Sequence, residues 1–447
     1  MIAQTGAAAA SAPRFGRRGA YTVVLLCVIY TLSFIDRQIV NILAEPIKRD
    51  LELKDWQLGL LTGLAFAILY TTLGVPIARL AERFNRVRII AAALALWSGF
   101  TAACGLAQSY AWLLLMRVGV GVGEAGCSPP AHSLIADVVP REKRASALAL
   151  YSMGIPIGSL LGLALGGVLA DVFGWRTAFL VVGLPGVAVA ILALSTLREP
   201  RLDLPATKVG QEVPTFAEAI DELRACRSFW LLGAGAALMA FINYGKVAFF
   251  GSFFLRIHGT KLESFAGSLN ELLNTNLGPV AFVGVVFGIM TGAFGGLGTL
   301  VGGWLADRAA RRDVRAYATI PALAALLQLP FLVSALLVPG PAAAFILMVF
   351  PAALSALWYG PVFAAVQGIV RPRVRNTAGA ILQLVINLVG LGLGPLAVGL
   401  LSDLFAARVG DIGEGLRWSL IVCASASAVA FICFLRARRS LAQDLIS

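Results

Sequence analysis

The sequence Ala78-Arg79-Leu80-Ala81-Glu82-Arg83-Phe84-Asn85-Arg86-Val87-Arg88 follows a long apolar run, and it returns in altered form as Gly303-Trp304-Leu305-Ala306-Asp307-Arg308-Ala309-Ala310-Arg311-Arg312. Each copy places an acid next to arginines directly after an apolar run. Glu82 and Asp307 are 225 residues apart, which is half the length of the 447-residue chain. This offset predicts two related halves with parallel topology, each built from the same set of spans.

The composition around these loops is that of a membrane protein. The chain is 59% hydrophobic and 13% charged, with a mean hydropathy of +0.84, whereas soluble proteins are about half apolar and about a quarter charged. Runs of about 20 apolar residues repeat along the chain and leave room for about a dozen bilayer crossings. The first run, from Tyr21, carries no cleavage pattern, so we expect it to remain as a span. Six dispersed cysteines and two histidines predict neither a disulfide framework nor a metal site.

These features predict an all-α polytopic membrane protein, with twelve transmembrane helices in two pseudo-symmetric six-helix bundles. The predicted spans lie near residues 20–43, 56–78, 87–107, 111–138, 145–170, 176–197, 229–257, 279–305, 315–338, 341–369, 376–404 and 417–435. The predicted parts of the chain are an N-terminal tail at 1–19, a first bundle at 20–198, a linker at 199–228, a second bundle at 229–435 and a C-terminal tail at 436–447.

The charges predict the orientation. Every second connection between spans is rich in arginine, and the formal net charge is +12. In a soluble domain this excess would indicate nucleic acid binding, but here it follows one membrane face, as the positive-inside rule describes. We therefore expect a multi-pass protein of the cell membrane, the inner membrane of a bacterium, with both termini and the middle linker in the cytoplasm.

Charges within spans are costly, so each one is a functional candidate. Asp36 and Arg37 are adjacent in the first span, and Arg117 and Glu124 lie two helical turns apart in the fourth span, roughly 10 Å along one face. Protonation of Asp36 or Glu124 would free an arginine to bind a substrate anion, so we predict proton coupling at these two acids and substrate binding at Arg37 and Arg117. The alternative is a static ion-pair network that only fixes helix orientation.

The residues around Glu124 contain the pattern GxGxxG, but it follows no predicted strand, so small residues that pack against a neighbouring helix explain it better than a nucleotide site. Pro129 and Pro130 predict a kink in the same helix. The chain has no GxxxxGK[ST] loop, so ATP-driven transport is not expected. We predict no enzymatic activity and no cofactor.

The second half has one notable charge within a span. Lys246, close to Tyr244, predicts a substrate-binding wall, and the alternative is a lysine that snorkels to the interface. At the repeated loops, Glu82, Arg83, Asp307 and Arg308 predict a cytoplasmic gate, since an acid can pair with arginine across a closed interface or cap a helix end. The buried acids of the first half have no counterpart in the second, which predicts proton handling in the first half and recognition of substrate shape in the second.

The paired loop resembles the signature of the major facilitator superfamily between spans two and three, which implies that family's fold. The first half also resembles the spinster-like branch in five segments: Phe34-Ile35-Asp36-Arg37-Gln38, Glu45-Pro46-Ile47-Lys48, Trp97-Ser98, Arg117-Val118-Gly119-Val120-Gly121-Val122-Gly123-Glu124-Ala125-Gly126 and Gly174-Trp175-Arg176-Thr177-Ala178-Phe179. The resemblance implies proton-linked transport of lysolipids or sphingoid phosphates, with Asp36, Arg37, Arg117 and Glu124 at positions used for coupling and headgroup recognition.

We thus expect a proton-coupled secondary transporter that alternates access to a central cavity. The expected partners are a small amphipathic anionic or zwitterionic solute, protons and the lipid bilayer; nucleic acid is not a partner, and the chain is expected to act as a monomer. One alternative is a symporter of small organic acids. An alternative from another class is a non-transporting receptor or scaffold on the same fold, which would gain nothing from buried charges.

Overall fold

The structure of the protein is a computed structural model, and it describes residues 16–140, 143–200, 216–273, 277–371 and 374–444. These residues form helices joined by short turns and contain no strands. The first half of the described chain contains α1 (Arg17–Ile42), α2 (Ala44–Leu51), α3 (Asp55–Gly59), α4 (Ala65–Arg83), α5 (Arg86–Cys104), α6 (Tyr110–Glu124), α7 (Ser128–Val138), α8 (Arg144–Ser152) and α9 (Gly154–Thr196).

The second half begins after α10 (Phe216–Ala225), a helix within the predicted linker. It contains α11 (Arg227–Leu273), α12 (Pro279–Ile289), α13 (Gly295–Ala310), α14 (Ala316–Leu337), α15 (Pro341–Leu354), α16 (Tyr359–Ile369), α17 (Arg375–Val385), α18 (Gly394–Val409), α19 (Ile412–Ala424) and α20 (Ala426–Asp444). The helix of the seventh crossing, α11, continues well beyond the predicted end near residue 257. The boundaries of the predicted domains stay a prediction.

Twelve bilayer crossings follow from these helices. Ten helical stretches of the described chain are long and apolar enough to span a membrane. The stretch at 146–196 turns at Gly174, whose φ of 81° favours glycine, and therefore supplies two crossings. The fourth crossing is made by α6 and α7, with a break between Glu124 and Ser128 beside the predicted kink. The predicted fold class is confirmed.

Three crossings contain a π-helical segment, a feature that is frequent at functional sites. Leu60–Leu64 joins α3 to α4 in the second crossing, Met290–Phe294 joins α12 to α13 in the eighth, and Ile386–Leu393 joins α17 to α18 in the eleventh. The first two segments are 230 residues apart and occupy the same place in the two halves, so they extend the repeat beyond the loops.

The two faces of the bundle differ in how the halves meet. We call the face that carries Arg17 and Asp444 the terminus face, and the other the opposite face. One apolar cluster contains residues of both halves and includes Leu58, Trp175 and Leu416 at helix ends of the opposite face. Two further clusters include residues near the terminus face, and they lie almost wholly within the first half and within the second half respectively. The halves are thus joined at the opposite face and packed separately at the terminus face.

Candidate functional site

The first half holds an ion pair inside the bundle. The Nε atom of Arg37 donates to Oε2 of Glu124 at 2.6 Å, and Ser33 Oγ donates to the same oxygen at 2.8 Å. The side chain of Glu124 is 1% exposed, whereas that of Arg37 is 14% exposed. Oε1 of Glu124 has no hydrogen-bond partner within the described ranges. The structure therefore brings α1 and α6 together through one predicted acid and one predicted base.

Aromatic rings surround the guanidinium of Arg37. Its Cζ atom lies 5.1 Å from the ring centroid of Phe34, 4.8 Å from that of Phe66 and 4.4 Å from that of Tyr70. Ring faces attract cations, and the attraction grows when both partners are out of water. Arg37 is therefore stabilised by three rings in addition to its single carboxylate, and it keeps those contacts when the carboxylate is neutral.

Asp36 and Arg117 form the other half of the predicted quartet, and their geometry differs. Both are almost fully buried, at 2% and 1% exposed. Arg117 Nη1 donates to the backbone oxygen of Asp36 at 3.3 Å, and no arginine nitrogen in the described chain lies within 4.0 Å of the Asp36 carboxylate. Trp97 and Thr101 of α5 are neighbours of that carboxylate. One acid of the site is therefore paired and the other is not.

The glycines before Glu124 act as packing residues. A Cβ atom on Gly121 would lie 2.6 Å from the backbone oxygen of Phe66, and one on Gly123 would lie 2.7 Å from the backbone nitrogen of Trp97. Only glycine lets these backbones approach so closely. The GxGxxG pattern is thus explained by close helix packing. Gly121 and Gly123 let α6 pack against α4, which carries Phe66, and α5, which carries Trp97.

A small cavity of about 30 Å³ lies between the two halves. Asn41 and Leu163 of the first half line it, together with Lys246, Phe250 and Met290 of the second. Lys246 is 6% exposed, and its Nζ atom donates to Pro351 O and Ser355 Oγ, both at 3.4 Å. Lys246 is buried at the cavity, so the snorkelling interpretation does not hold.

Tyr244, two residues before Lys246, contacts apolar clusters of both halves and lies within electrostatic range of Arg37. It therefore packs where the two halves meet near Arg37.

Among the gate residues whose side chains are described, Arg83, Asp307 and Arg308 form no ion pair across the halves in this conformation. Arg83 is exposed, and the side chain of Glu82 lies outside the described part of the chain. Asp307 accepts a hydrogen bond from Tyr317 at 3.1 Å, within the second half, and Arg308 stacks over Trp304 at 5.8 Å. Arginines are exposed on this face in both repeated loops: Arg79, Arg83, Arg88, Arg308, Arg311 and Arg312.

The sequence analysis missed a buried cluster beside the first repeated loop. Arg86 is 0% exposed; its guanidinium pairs with Glu199, contacts Asp137 at 2.7 Å and donates to Ser133 at 2.8 Å, while its backbone nitrogen donates to Glu199 at 2.7 Å. The cluster ties the loop to α7 and to the chain just after α9. The sequence features that point to this cluster are an arginine of the repeated loop and acids near the ends of two other spans.

A second cluster that the sequence analysis missed joins the halves at the opposite face. Arg256 of α11 donates to Glu45 at 2.9 Å and to both oxygens of Asp55, at 2.7 and 2.8 Å. Lys48 donates to Asp55 at 2.6 Å, as does Ser402 of α18. The mixed charges between the first two spans thus bind the second half through Arg256 and Ser402.

The fold and these sites define a membrane transporter built from two related halves around a central cavity, not an enzyme. The family model described as Major Facilitator Superfamily matches residues 26–391, and the chain belongs to that family.

Within the family, the chain is spinster-like. It is 36% identical over 443 residues to an MFS-type efflux pump of Mycolicibacterium smegmatis, covering 97% of this chain and 96% of the relative. It is 28% identical to human protein spinster homolog 1, over 94% of this chain and 80% of that protein. It also resembles the crystal structure of a bacterial homolog of the human lysosomal transporter Spinster, in an inward-facing and unoccupied conformation. That match has 32% identity and a TM-score of 0.85, and it covers 96% of this chain and 99% of the other.

Proposed function

We propose that the protein is a proton-coupled secondary transporter of an amphipathic anionic or zwitterionic solute. The observation that carries the proposal is the ion pair between Arg37 and Glu124, which lies next to an unpaired buried acid, Asp36. A carboxylate that binds a proton loses its charge and with it most of its attraction for arginine. Glu124 and Asp36 are the proposed proton carriers.

In this mechanism a proton on Glu124 releases Arg37, whose guanidinium then binds the anionic group of the solute. The aromatic rings around Arg37 hold it in place during the exchange. Arg117, Tyr244 and Lys246 complete the proposed substrate site. The proton competes with Arg37 for Glu124, and the solute competes with Glu124 for Arg37. Binding of the proton therefore favours binding of the solute, which ties the movement of one to that of the other.

The terminus face is proposed to lie in the cytoplasm of a bacterial cell, since its loops carry the arginines. The conformation described above then corresponds to access from the cytoplasm, in line with the inward-facing relative. Glu82, Arg83, Asp307 and Arg308 are proposed to close this face when the opposite face opens. The chain is proposed to act as a monomer, with a lysolipid or sphingoid phosphate as the first solutes to test.

Purified protein in liposomes that contain a pH-sensitive dye tests the proposal. We expect lysolipids, sphingosine phosphate or organic acids, added one at a time, to cause proton movement in liposomes with protein and none in liposomes without it. Proton movement with organic acids alone would favour the organic-acid symporter. Absence of substrate-dependent proton movement across the whole panel would overturn proton coupling.

A further inference from the structure

Lys246 is a buried amine whose charged form the protein itself does not balance. Its hydrogen bonds go to a carbonyl and a hydroxyl, and within the described ranges no carboxylate lies within 4.0 Å of its Nζ atom. Ser355 is in turn bonded to Asn243 at 3.2 Å, so these neutral groups form a polar patch on an otherwise apolar wall. A buried ammonium is costly unless it has an opposite charge. The missing partner is an anion that enters the cavity.

The cavity beside Lys246 limits what that anion can be. Its volume is about 30 Å³ in this conformation, enough for a small polar group the size of water, so a larger solute enters only when the halves move apart. Leu163, Phe250, Phe287 and Met348 give it apolar walls. The ring centroid of Phe250 is 5.9 Å from the ammonium, so the apolar wall begins directly at the charge. The site therefore matches a molecule with one anionic group and an apolar body.

We propose that Lys246, and not Arg37 or Arg117, binds the anionic group when the solute first enters, while Arg37 is still paired with Glu124. The inference rests on the proposed function and adds the order of contacts: the anion meets the second half first and reaches Arg37 only after Glu124 is protonated. The solute class is an organic acid or monoester with one carboxylate or phosphate and an apolar body.

Binding of four probes that share one apolar body tests this. 4-Phenylbutyrate and 4-phenylbutyl phosphate are anionic, 4-phenylbutanol is neutral and 4-phenylbutylamine is cationic. We expect purified wild-type protein in lipid nanodiscs, measured calorimetrically without a pH gradient, to bind one or both anions at least about tenfold more tightly than the alcohol. Lys246→Gln should abolish that preference and Lys246→Arg should keep it. Lys261→Gln, at an exposed lysine of the same helix, should behave as wild type.

An anion preference that persists in Lys246→Gln, or that is absent from the wild type, overturns the proposal. Failure of the proposed function is distinguishable, because it leaves anion binding intact and removes only substrate-dependent proton movement. If both anions bind, their relative affinities assign the head group.

An independent observation concerns a second repeat, Gly167-Val168-Leu169-Ala170-Asp171-Val172-Phe173 in α9 and Gly399-Leu400-Leu401-Ser402-Asp403-Leu404-Phe405 in α18. Asp171 accepts a hydrogen bond from the backbone nitrogen of Ala281 at 2.6 Å, in the first turn of α12. Asp403 accepts from the backbone nitrogens of Asp55 and Trp56, at 3.0 and 2.9 Å, at the start of α3. Each acid thus caps the first turn of a helix that belongs to the other half.

The glycine four residues before each acid makes these caps possible. Gly167 lies against the backbone of Val280, and Gly399 lies against the backbone of Asp55, with no room for a side chain at either contact. Carboxylates at helix starts are stabilised both by unpaired backbone N–H groups and by the helix dipole. We infer that the paired caps, Asp171 and Asp403, hold the opposite face closed and must both break for that face to open.

Distances between spin labels at positions 49 and 412 test the inference. These positions lie in different halves, on the two sides of a surface pocket of the opposite face. Both residues line that pocket and are exposed. The labels are placed in protein whose six native cysteines are replaced. We expect the double variant Asp171→Ala/Asp403→Ala to raise the population with the longer label-to-label distance, relative to the population with the shorter one, at least about fivefold. Asp171→Asn/Asp403→Asn should restore the closed distance, because asparagine caps helices nearly as well as aspartate.

Asp50→Ala is the matched control. Asp50 lies on the same face and pairs with Arg176 at 2.7 Å, but both residues belong to the first half. An unchanged distance distribution in the double alanine variant, or an equal change in Asp50→Ala, overturns the inference.

Discussion

The two copies of the repeated loop have taken different structural roles. In the first copy Arg86 is wholly buried among Glu199, Asp137 and Ser133, whereas its counterpart Arg311, 225 residues later, is exposed. The interiors of the halves also differ. Arg37 of the first half pairs with Glu124, whereas Lys246 of the second half contacts only neutral groups. Duplication has thus kept the topology and the loop positions, and the charges inside each copy have diverged.

The largest expected effect tests whether the first half alone handles protons. Asp36→Asn and Glu124→Gln each remove one carboxyl that can release a proton. We expect either variant to abolish transport driven by a pH gradient while membrane insertion stays normal. In wild-type protein, a lower pH on the side open to the site should favour the protonated acids and speed release of Arg37.

Uptake in liposomes at several imposed pH gradients, with insertion checked by protease protection, measures this effect. Wild-type pH dependence in both variants would contradict it and would restore the static ion-pair network.

The second effect tests the comparison between the two loops. Arg86→Ala removes the guanidinium that pairs with Glu199, and breaking a buried ion pair in this way costs about 3 kcal/mol. We expect its Tm in detergent to fall by about 5 °C, since a few kcal/mol shift Tm by several degrees in chains of this size. Arg311→Ala should shift Tm by less than about 1 °C because the residue is exposed. Equal Tm values for the two variants would show that the buried arginine of the first loop stabilises the protein no more than the exposed arginine of the second.

A smaller effect concerns Arg117, whose Nη1 atom donates to the backbone oxygen of Asp36. Arg117→Ala should weaken binding of an anionic solute about tenfold, since one charge-assisted contact is lost. Equilibrium binding of the anion that moves protons in wild-type liposomes measures it. An unchanged Kd would remove Arg117 from the substrate site.

The smallest effect concerns Tyr244, whose ring contacts both halves. Tyr244→Phe keeps the ring and removes the hydroxyl, so we expect the apparent affinity for solute to change less than about threefold. Tyr244→Ala removes the ring contact as well and should reduce the affinity further. A larger loss in the phenylalanine variant than in the alanine variant would contradict the contact role of the ring.

The fold was predictable because long apolar runs and a half-length repeat leave few other arrangements in a bilayer. The four charged residues inside the spans were also predictable as site candidates, because charged residues are rare within apolar spans. Their pairing was not: helical spacing places Arg117 near Glu124 on one helix, yet Glu124 pairs with Arg37 of another. Arg256 and Arg86 were missed because they lie near span ends, where arginines are common and the sequence does not indicate which partner each one meets.

The arginines exposed on the terminus face have a consequence for the membrane around the protein. Closing that face brings the loop of Arg83 and the loop of Arg308 toward each other, and their like charges oppose the movement. Anionic lipid headgroups attract arginines near the surface by about 1 kcal/mol each. In the proposed transport cycle, we therefore expect a leaflet rich in such lipids to offset the repulsion when this face closes, so that the transport rate depends on lipid composition.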